Sequence, residues 1–269
     1  MTALDLTGSR RAAFATLVED AQRALGRIRY GSVFRVGTAT VVLNPDSPLA
    51  SANFAGTLTG SPAAAQATLE LLPVVWAEAD RSAVVLLDSP SCLPELSLLA
   101  EETGYEAAEE LAVLVLTDPA ALVQGEPGRL ARPVAEQEEW QVAGVLAEAF
   151  GWSEQVARRH GVVLGHRLDD PRFLALGAGE GGSFDGPLVA VATAFVDAGL
   201  GLVSEVAVLP DARGSRLGRP VASAAVAMCL ARGARIVALS TEAGGTAEGF
   251  WAGLGFEPAY DTVAYTRRW

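Results

Sequence analysis

The segment from Val203 to Gly218, VSEVAVLPDARGSRLG, constrains the fold of this chain more than any other stretch. Its first half is a short apolar run that predicts a buried strand, which ends at Pro210 because proline has no N–H for a further rung. The second half carries two glycines and leads to Pro220, which suits the first turn of a helix, and to the apolar residues 221–230. A strand, a glycine-bearing loop and a helix start together predict a site for phosphate or diphosphate, because the helix dipole and free N–H groups attract anions.

The loop resembles the acyl-CoA loop of the GNAT superfamily of N-acyltransferases, whose pattern is Arg or Gln, two residues, Gly, one residue, then Gly or Ala. Arg216 stands where the family usually has its central glycine. Further along, residues 247–256, AEGFWAGLGF, resemble the second signature of the family, and a final strand is predicted to follow. The chain carries the longer run V-x-P-x-x-R-G-x-x-L-G, which resembles the family loop and leads into a predicted helix, and the matching loop positions are Arg213, Gly214, Leu217 and Gly218.

The resemblance implies an α/β (α+β) fold with a mixed, mostly antiparallel sheet flanked by helices. Apolar patterns in residues 132–269 predict the element order αα-βββ-α-β-α-β, which is the order that the GNAT fold implies. In the first half, LLAEETGYE at 98–106 parallels GFWAGLGFE at 249–257, and a strand is predicted after each. We therefore expect two tandem copies: a degenerate GNAT-like domain at 1–120, a linker at 121–131, and a GNAT acetyltransferase domain at 132–269.

Apolar periodicity in the first half also predicts a helix-first start. Pro73 is expected to kink or divide the second helix, since proline removes a hydrogen bond from a helix interior. The predicted elements are a helical stripe from Phe14 to Ile28, strands within Ser32 to Leu43, a helix from Ala64 to Ala79, a strand from Val84 to Leu87, a helix from Leu93 to Glu102 and a strand from Leu111 to Leu116.

The resemblance also implies an activity, the transfer of an acetyl group from acetyl-CoA to an amine by direct attack. The strand before the loop would contact the pantetheine arm, and the loop would hold the pyrophosphate. An ordinary core role for the strand residues is compatible with this. The implied cofactor-binding residues are Val206, Ala207, Val208, Arg213, Gly214, Ser215, Arg216, Leu217, Gly218, Arg219 and Trp251.

Glu205 is the carboxylate of the strand, and it is the candidate base because family members often take a base from this region. The alternative is a solvent-facing strand residue. Trp251 stands where the family frequently has a tyrosine acid, and an indole N–H cannot protonate a thiolate. Tyr260, Tyr265 and water remain alternatives for the proton donor.

The composition of the chain indicates which classes of binding partner and chemistry to expect. The formal net charge of −12 argues against a nucleic-acid backbone and favours a cationic small-molecule amine by long-range attraction. Every basic residue is arginine, which excludes a lysine nucleophile or Schiff base. The sequence shows neither a long apolar span nor a signal peptide, so we expect a cytoplasmic protein without a membrane partner.

A metal site is not expected. His160 and His166 lie six residues apart and so point to different helix faces, and Arg158, Arg159 and Arg167 are expected to form a solvated face.

Two further expectations concern function. Because Arg216, Gly244 and Trp251 depart from the family pattern, a catalytically silent acyl-CoA-binding or interaction protein is the alternative to an enzyme. The first half is expected to bind no cofactor, since its corresponding segment, AGTLTGSP at 55–62, has no basic residue to face a pyrophosphate.

Overall fold

The computed structural model describes residues 7–28, 31–124, 130–183 and 186–269, so residues 125–129 of the predicted linker lie outside the described part. The chain separates into two compact units, each discontinuous in sequence. Unit 1 comprises 1–114, 240–249 and 258–269, and unit 2 comprises 115–239 and 250–257. The C-terminal segment therefore counts with unit 1, whereas the predicted boundaries divide the chain once, at the linker. Those boundaries stay a prediction about which segments fold as domains.

Unit 1 starts with a helix and continues with a sheet whose strand order is β1-β2-β3-β4-β11-β5. The pairs β1/β2, β2/β3 and β4/β11 are antiparallel, and β3/β4 is parallel. Strand β3 was not predicted, because its four residues are too few for an alternating pattern to stand out. The elements of the first half are α1 (Ser9–Gly26), β1 (Ser32–Val36), β2 (Ala39–Leu43), β3 (Asn53–Gly56), α2 (Pro62–Glu78), β4 (Ala83–Asp88), α3 (Leu96–Glu102) and β5 (Glu106–Leu116).

Helix α2 is continuous through Pro73, so the expected division of this helix is wrong. Proline at this position cannot donate to the carbonyl of Leu69, four residues earlier. The buried hydroxyl of Tyr105 donates to that carbonyl instead, at 2.9 Å. A side chain from the residue before β5 thus satisfies the acceptor that the proline leaves free.

Unit 2 contains the strand order β10-β9-β8-β7-β6, in which only β9 and β10 run parallel. Its core combines the inward side of the sheet with the apolar face of α6, including Val191, Phe195 and Val226. The elements of the second half are β6 (Arg132–Pro133), α4 (Glu139–Phe150), α5 (Glu154–Leu168), β7 (Phe173–Gly179), β8 (Leu188–Asp197), β9 (Leu200–Val208), α6 (Gly218–Ala231), β10 (Ile236–Glu242), α7 (Thr246–Ala252) and β11 (Phe256–Arg268).

The predicted fold class is confirmed. After the short strand β6, the second half follows the predicted order αα-βββ-α-β-α-β, and the first half repeats it with a single leading helix. The repeat extends to detail: α3 is followed by Gly104 at φ 82° and then a strand, and α7 by Gly255 at φ 87° and then a strand. Among the described residues, no helix is long and apolar enough to cross a bilayer.

Candidate functional site

The predicted phosphate segment forms the expected strand, loop and helix, all within unit 2. Strand β9 ends at Val208, a single 3-10 turn spans Pro210–Ala212, and α6 begins at Gly218. Residues 213–216 are exposed, whereas Ala207 and Leu217 are buried. Val206 and Val208 are half-buried, so they combine packing with some access to solvent. The eleven residues predicted to bind the cofactor therefore lie on this segment, except for Trp251.

The pairing of β9 changes along its length. Its parallel ladder with β10 runs from Leu200 to Val203, while its antiparallel ladder with β8 continues to Val208. The second half of β9 therefore leaves the β10 ladder while remaining anchored on β8. Because a strand in this state has unused backbone groups along one edge, it can pair with an extended ligand.

A β-bulge marks the point where the two ladders diverge. Thr193 of β8 faces Glu205 and Ala194 faces Val203, which leaves Ser204 as the extra residue on β9. A bulge re-aims the side chains that follow it. The hydroxyl of Ser204 is buried and has no hydrogen-bond partner among the described residues.

The loop holds two residues in the left-handed region. Gly214 has φ 85°, which glycine adopts without cost, and Arg216 has φ 65°. Arg216 thus adopts the backbone conformation that a glycine would allow, at a cost on the order of 1 kcal/mol. The N–H groups of Ala212, Arg213 and Ser215 donate to loop carbonyls. The backbone N–H groups of Gly214, Arg216 and Gly218 make no turn or loop hydrogen bond to a backbone carbonyl of the described residues.

The N-terminus of α6 is open. Its N-cap residue, Leu217, provides no side-chain hydrogen bond, so the first N–H groups of the helix are not satisfied by a cap. A Cβ placed on Gly218 would lie 3.4 Å from Val208 Cγ2 and 3.9 Å from Phe250 Cε2. A side chain at position 218 would therefore contact both the end of β9 and Phe250 of α7.

The side chains of three predicted cofactor residues contact other parts of unit 2. Arg213 donates to the carbonyl of Ala149 at 3.4 Å. Arg219 donates to the carbonyls of Gly253 and Ala121, at 2.8 and 3.1 Å, so its guanidinium ties the start of α6 to the end of α7. Trp251 is buried and makes edge-to-face contacts with Phe250 and Phe256 at 5.1 and 5.3 Å between ring centroids. These two bonds use Nη2, so the backbone N–H and the remaining guanidinium N–H groups of Arg219 are the donors that an anion could contact.

Glu205 points into the unit rather than to solvent, because its side chain is only 11% exposed. One carboxylate oxygen, Oε2, accepts a hydrogen bond from the hydroxyl of Thr193, and the N–H of Glu205 donates to the same hydroxyl at 3.2 Å. The other oxygen, Oε1, lies 3.8 Å from His160 Nε2 and 3.9 Å from Arg167 Nη1. The solvent-facing interpretation of Glu205 is therefore wrong, while its role as a base stays a prediction.

Burial dominates the ionisation of the two α5 side chains. It lowers the pKa of His160 to about 4, with the carboxylate of Glu205 opposing this change and the charge of Arg167 adding to it. Burial also lowers the pKa of Arg167, again opposed by Glu205. At neutral pH the imidazole is therefore uncharged, while arginine keeps its charge in proteins.

The expected solvated face is wrong for Arg167, which is 2% exposed, whereas Arg158 is exposed. A sequence signal for this existed. His160 and Arg167 stand two turns apart on the stripe of α5 that also carries Val163 and Leu164, so both occupy its buried face. The partner on β9 and the bulge could not be read from that stripe, because both depend on strand register.

The alternative proton donors belong to unit 1. Tyr260 is buried edge-on against Phe14, and burial raises its pKa. Tyr265 contributes to the hydrophobic cluster of the unit, and desolvation raises its pKa as well. Among the described residues, no group of three or more His, Cys, Asp or Glu side chains is arranged to hold a metal ion.

No protein-family model and no curated protein matches the chain. Solved structures do match. A GCN5-related N-acetyltransferase from Kribbella flavida superposes with a TM-score of 0.69 over 94% of this chain and 95% of that chain, at 23% identity. A tandem GNAT protein from the clavulanic acid biosynthesis pathway gives 0.59 over 99% and 97%, at 14% identity. A GCN5-related N-acetyltransferase from Sphaerobacter thermophilus gives 0.55 over 97% and 93%, at 18% identity. The chain has the GNAT fold, and its full-length similarity to a tandem GNAT protein agrees with the internal repeat.

Proposed function

We propose that the chain is an N-acetyltransferase that moves an acetyl group from acetyl-CoA to a primary amine of a small molecule. The observation that carries this proposal is the divergence of β9 from β10 directly before an uncapped helix start. The free strand edge suits the amide groups of a pantetheine arm, and the loop with the helix start suits a pyrophosphate.

The residues fit this ligand at three points. Val206, Ala207 and Val208 would line the pantetheine arm, with the half-buried valines on one side of the strand. Residues 213–219 would hold the pyrophosphate through N–H groups and the exposed guanidinium groups of Arg213 and Arg216. Trp251 would support this wall from behind, since it packs on Phe250, which faces Gly218.

Glu205 would accept the proton that the amine loses. The nitrogen of the acceptor forms a bond to the thioester carbonyl carbon, the carbon–sulfur bond breaks, and the sulfur leaves as a thiolate that takes up one proton. An ammonium acceptor must lose one proton before attack and a second during it. A buried carboxylate held by Thr193 is suited to receive one of these, directly or through water.

The acceptor class follows from charge. A net charge of −12 raises the local concentration of cationic ligands, which favours a small amine that is protonated in solution. Nucleic acid is disfavoured as a partner for the same reason.

A thiol-release assay with acetyl-CoA and a panel of small primary amines tests this proposal. We expect turnover with at least one amine, and Glu205→Gln should lower it most at low pH, where nearly all of the amine is protonated and must lose a proton. Glu257→Gln, at an exposed position, is the matched control and should leave the pH–rate profile unchanged. An unchanged profile in Glu205→Gln would remove Glu205 from the reaction.

A catalytically silent acyl-CoA-binding or interaction protein is the second candidate. Trp251 favours it, since a buried indole in an aromatic cluster supplies no acid where the family frequently has tyrosine. Calorimetric binding of acetyl-CoA without thiol release from any amine in the panel would support this candidate over the enzyme.

A further inference from the structure

Helix α5 places two buried cationic-type side chains against the same carboxylate oxygen. His160 and Arg167 are 0% and 2% exposed, and they lie two helical turns apart on one face. The nearest nitrogen of each is within 4 Å of Glu205 Oε1. The guanidinium of Arg167 also lies over the ring of Phe173, 5.9 Å from its centroid, which fixes one side of the group.

A buried guanidinium requires an anion. Removing an ion from water costs several kcal/mol, and arginine cannot escape this by losing its proton. Glu205 is the carboxylate recorded within 4 Å of Arg167 in the described part of the chain. The Nε of Arg167 is buried without a hydrogen-bond partner among the described residues, so packing alone does not explain an arginine here.

The other elements around Glu205 contribute no further cationic side chain within 4 Å of its carboxylate in the described chain. Strand β8 contributes the neutral hydroxyl of Thr193. Helices α4 and α6 also pack on β9. On α4, the acid Glu139 faces α5, with its Cγ 3.7 Å from a Cβ position on Gly165. His160 and Arg167 are therefore the basic side chains that lie against Glu205 in the described chain.

We propose that Arg167 is a positioning residue that holds the carboxylate of Glu205 facing α5, with Thr193 fixing its second oxygen. This rests on the proposed function, in which Glu205 takes a proton from the amine. Arg167 acts through Glu205, since its own side chain has almost no exposed surface. His160, uncharged at neutral pH and in edge contact with Trp152 at 5.1 Å, reports on the charges of the pair.

The first experiment needs no activity. The chain has only two histidines, so NMR titration of His160 is resolved by comparison with a His166→Gln variant. Because the charge of Arg167 lowers the pKa of His160, Arg167→Met should raise the titration midpoint by about one pH unit. Glu205→Gln should move it down, since that carboxylate opposes the effect of burial. Arg167→Lys should stay near wild type because it keeps the charge.

The second experiment uses a double-mutant cycle on kcat/KM. Because Arg167 is proposed to act through Glu205, Arg167→Met should lower kcat/KM about tenfold when Glu205 is present. Arg167→Lys should largely rescue it. In a Glu205→Gln background, Arg167→Met should change kcat/KM by less than about twofold, because its target is gone.

Arg158→Met is the matched control, since Arg158 is on the same helix but exposed and paired with Glu154. Arg158→Met should change neither the titration midpoint of His160 nor kcat/KM. An unmoved His160 midpoint in Arg167→Met, or an equal loss of kcat/KM with and without Glu205, would overturn the proposal and leave Arg167 a structural residue. If the wild type turns over no amine, the proposed function fails, while the His160 titration still decides whether the charges of Arg167 and Glu205 both lie beside His160, which is the geometry that the proposal requires. Should Arg167→Met not fold, Arg167→Gln, which removes the charge but keeps hydrogen-bonding groups, carries the same comparison with and without Glu205.

Discussion

Both units contain a strand–loop–helix segment, but they differ in whether a side chain caps the N–H groups at the start of the helix. In unit 1 the loop after β3 leads to Ser61, whose hydroxyl accepts a hydrogen bond from the N–H of Ala64 and caps α2. In unit 2 the corresponding position is Leu217, which provides no cap to α6. The side chain of Ser61 therefore caps one N–H group at the start of α2, whereas no side chain caps the start of α6.

The end of β3 in unit 1 is also covered by a side chain from another element. In unit 1, Glu19 of α1 lies against the end of β3, where a Cβ on Gly56 would come within 2.9 Å of its carboxylate. The carboxylate accepts hydrogen bonds from Thr57, Ser89 and Arg23, and from Ser91 at 2.6 Å.

The carboxylate of Glu19 therefore fills the space beside the end of β3. This contact gives a physical reason for the expectation that the first half binds no cofactor, because Glu19 would compete with an anionic ligand at this strand end. It stays a prediction.

The largest expected effect is the loss of stability on removing the Glu19 carboxylate from unit 1. Glu19→Met removes the acceptor of four donors and leaves the guanidinium of Arg23 buried beside it, so unfolding free energy should fall by about 3–5 kcal/mol. Asp20→Asn is the control: this carboxylate also pairs with Arg23 but is 63% exposed, and its loss should cost less than about 1 kcal/mol. Urea titration measures both. Equal losses would mean that the Glu19 network does not hold the strand end.

The second largest expected effect is the loss of acetyl-CoA affinity when a bulky side chain is placed at the start of α6 in unit 2. Gly218→Phe fills the space between Val208 and Phe250, and we expect affinity for acetyl-CoA to fall more than about 100-fold, which is about 2.7 kcal/mol. Gly218→Ala makes only ordinary contacts there and should bind more tightly than the phenylalanine variant, while Gly144→Phe, at an exposed helix position with open space, should bind like wild type.

Calorimetry should give one site per chain in the wild type. Unchanged affinity in a folded Gly218→Phe variant would place the cofactor elsewhere, and two sites in the wild type would mean that unit 1 is not silent.

Lowering the pH should change the stability contributions of His160 in unit 2 and Asp88 in unit 1 in opposite directions. The pKa of His160 falls to about 4 on burial, so between pH 6.5 and 4 the unfolded state binds a proton that the folded state refuses. This contribution is lost as pH falls, by about 2 kcal/mol at pH 5. In unit 1, burial raises the pKa of Asp88 to about 6, so its contribution is present at low pH and is lost as pH rises through 6.

Urea unfolding at several pH values tests both signs. Relative to wild type, His160→Gln should flatten the loss of stability toward pH 4.5, and Asp88→Asn should steepen it. The exchange His166→Gln serves as the histidine control and should keep the wild-type slope. Parallel slopes in the His160 and Asp88 variants would contradict the assignment of opposite signs.

The smallest effect compares the two helix starts directly. Ser61→Ala removes the cap of α2 and should lower unfolding free energy by about 1 kcal/mol, without changing acetyl-CoA affinity. The exposed Ser215, in the loop before α6, caps nothing in the described chain, so Ser215→Ala should cost less than about 0.5 kcal/mol. If the two serines cost the same, the helix starts are not differently satisfied.

Local pattern was sufficient for most of the architecture. The apolar run, proline and glycines of residues 203–218 predicted β9, the loop and α6, because each signal acts within a few residues of its cause. The repeated LLAEETGYE and GFWAGLGFE segments indicated the tandem arrangement for the same reason. The predicted site residues consequently fell on one continuous segment, with Trp251 reaching it through Phe250.

What only the tertiary structure decided depends on register and on contacts between distant segments. The bulge at Ser204 exists because β8 and β9 pair with one residue to spare, and it turns Glu205 toward Arg167, thirty-eight residues earlier in the chain (205 − 167). The passage of α2 through Pro73 needs the hydroxyl of Tyr105. Sequence pattern records which faces are apolar, but a charge on such a face is stable only if another element supplies its partner, and that partner is fixed by packing.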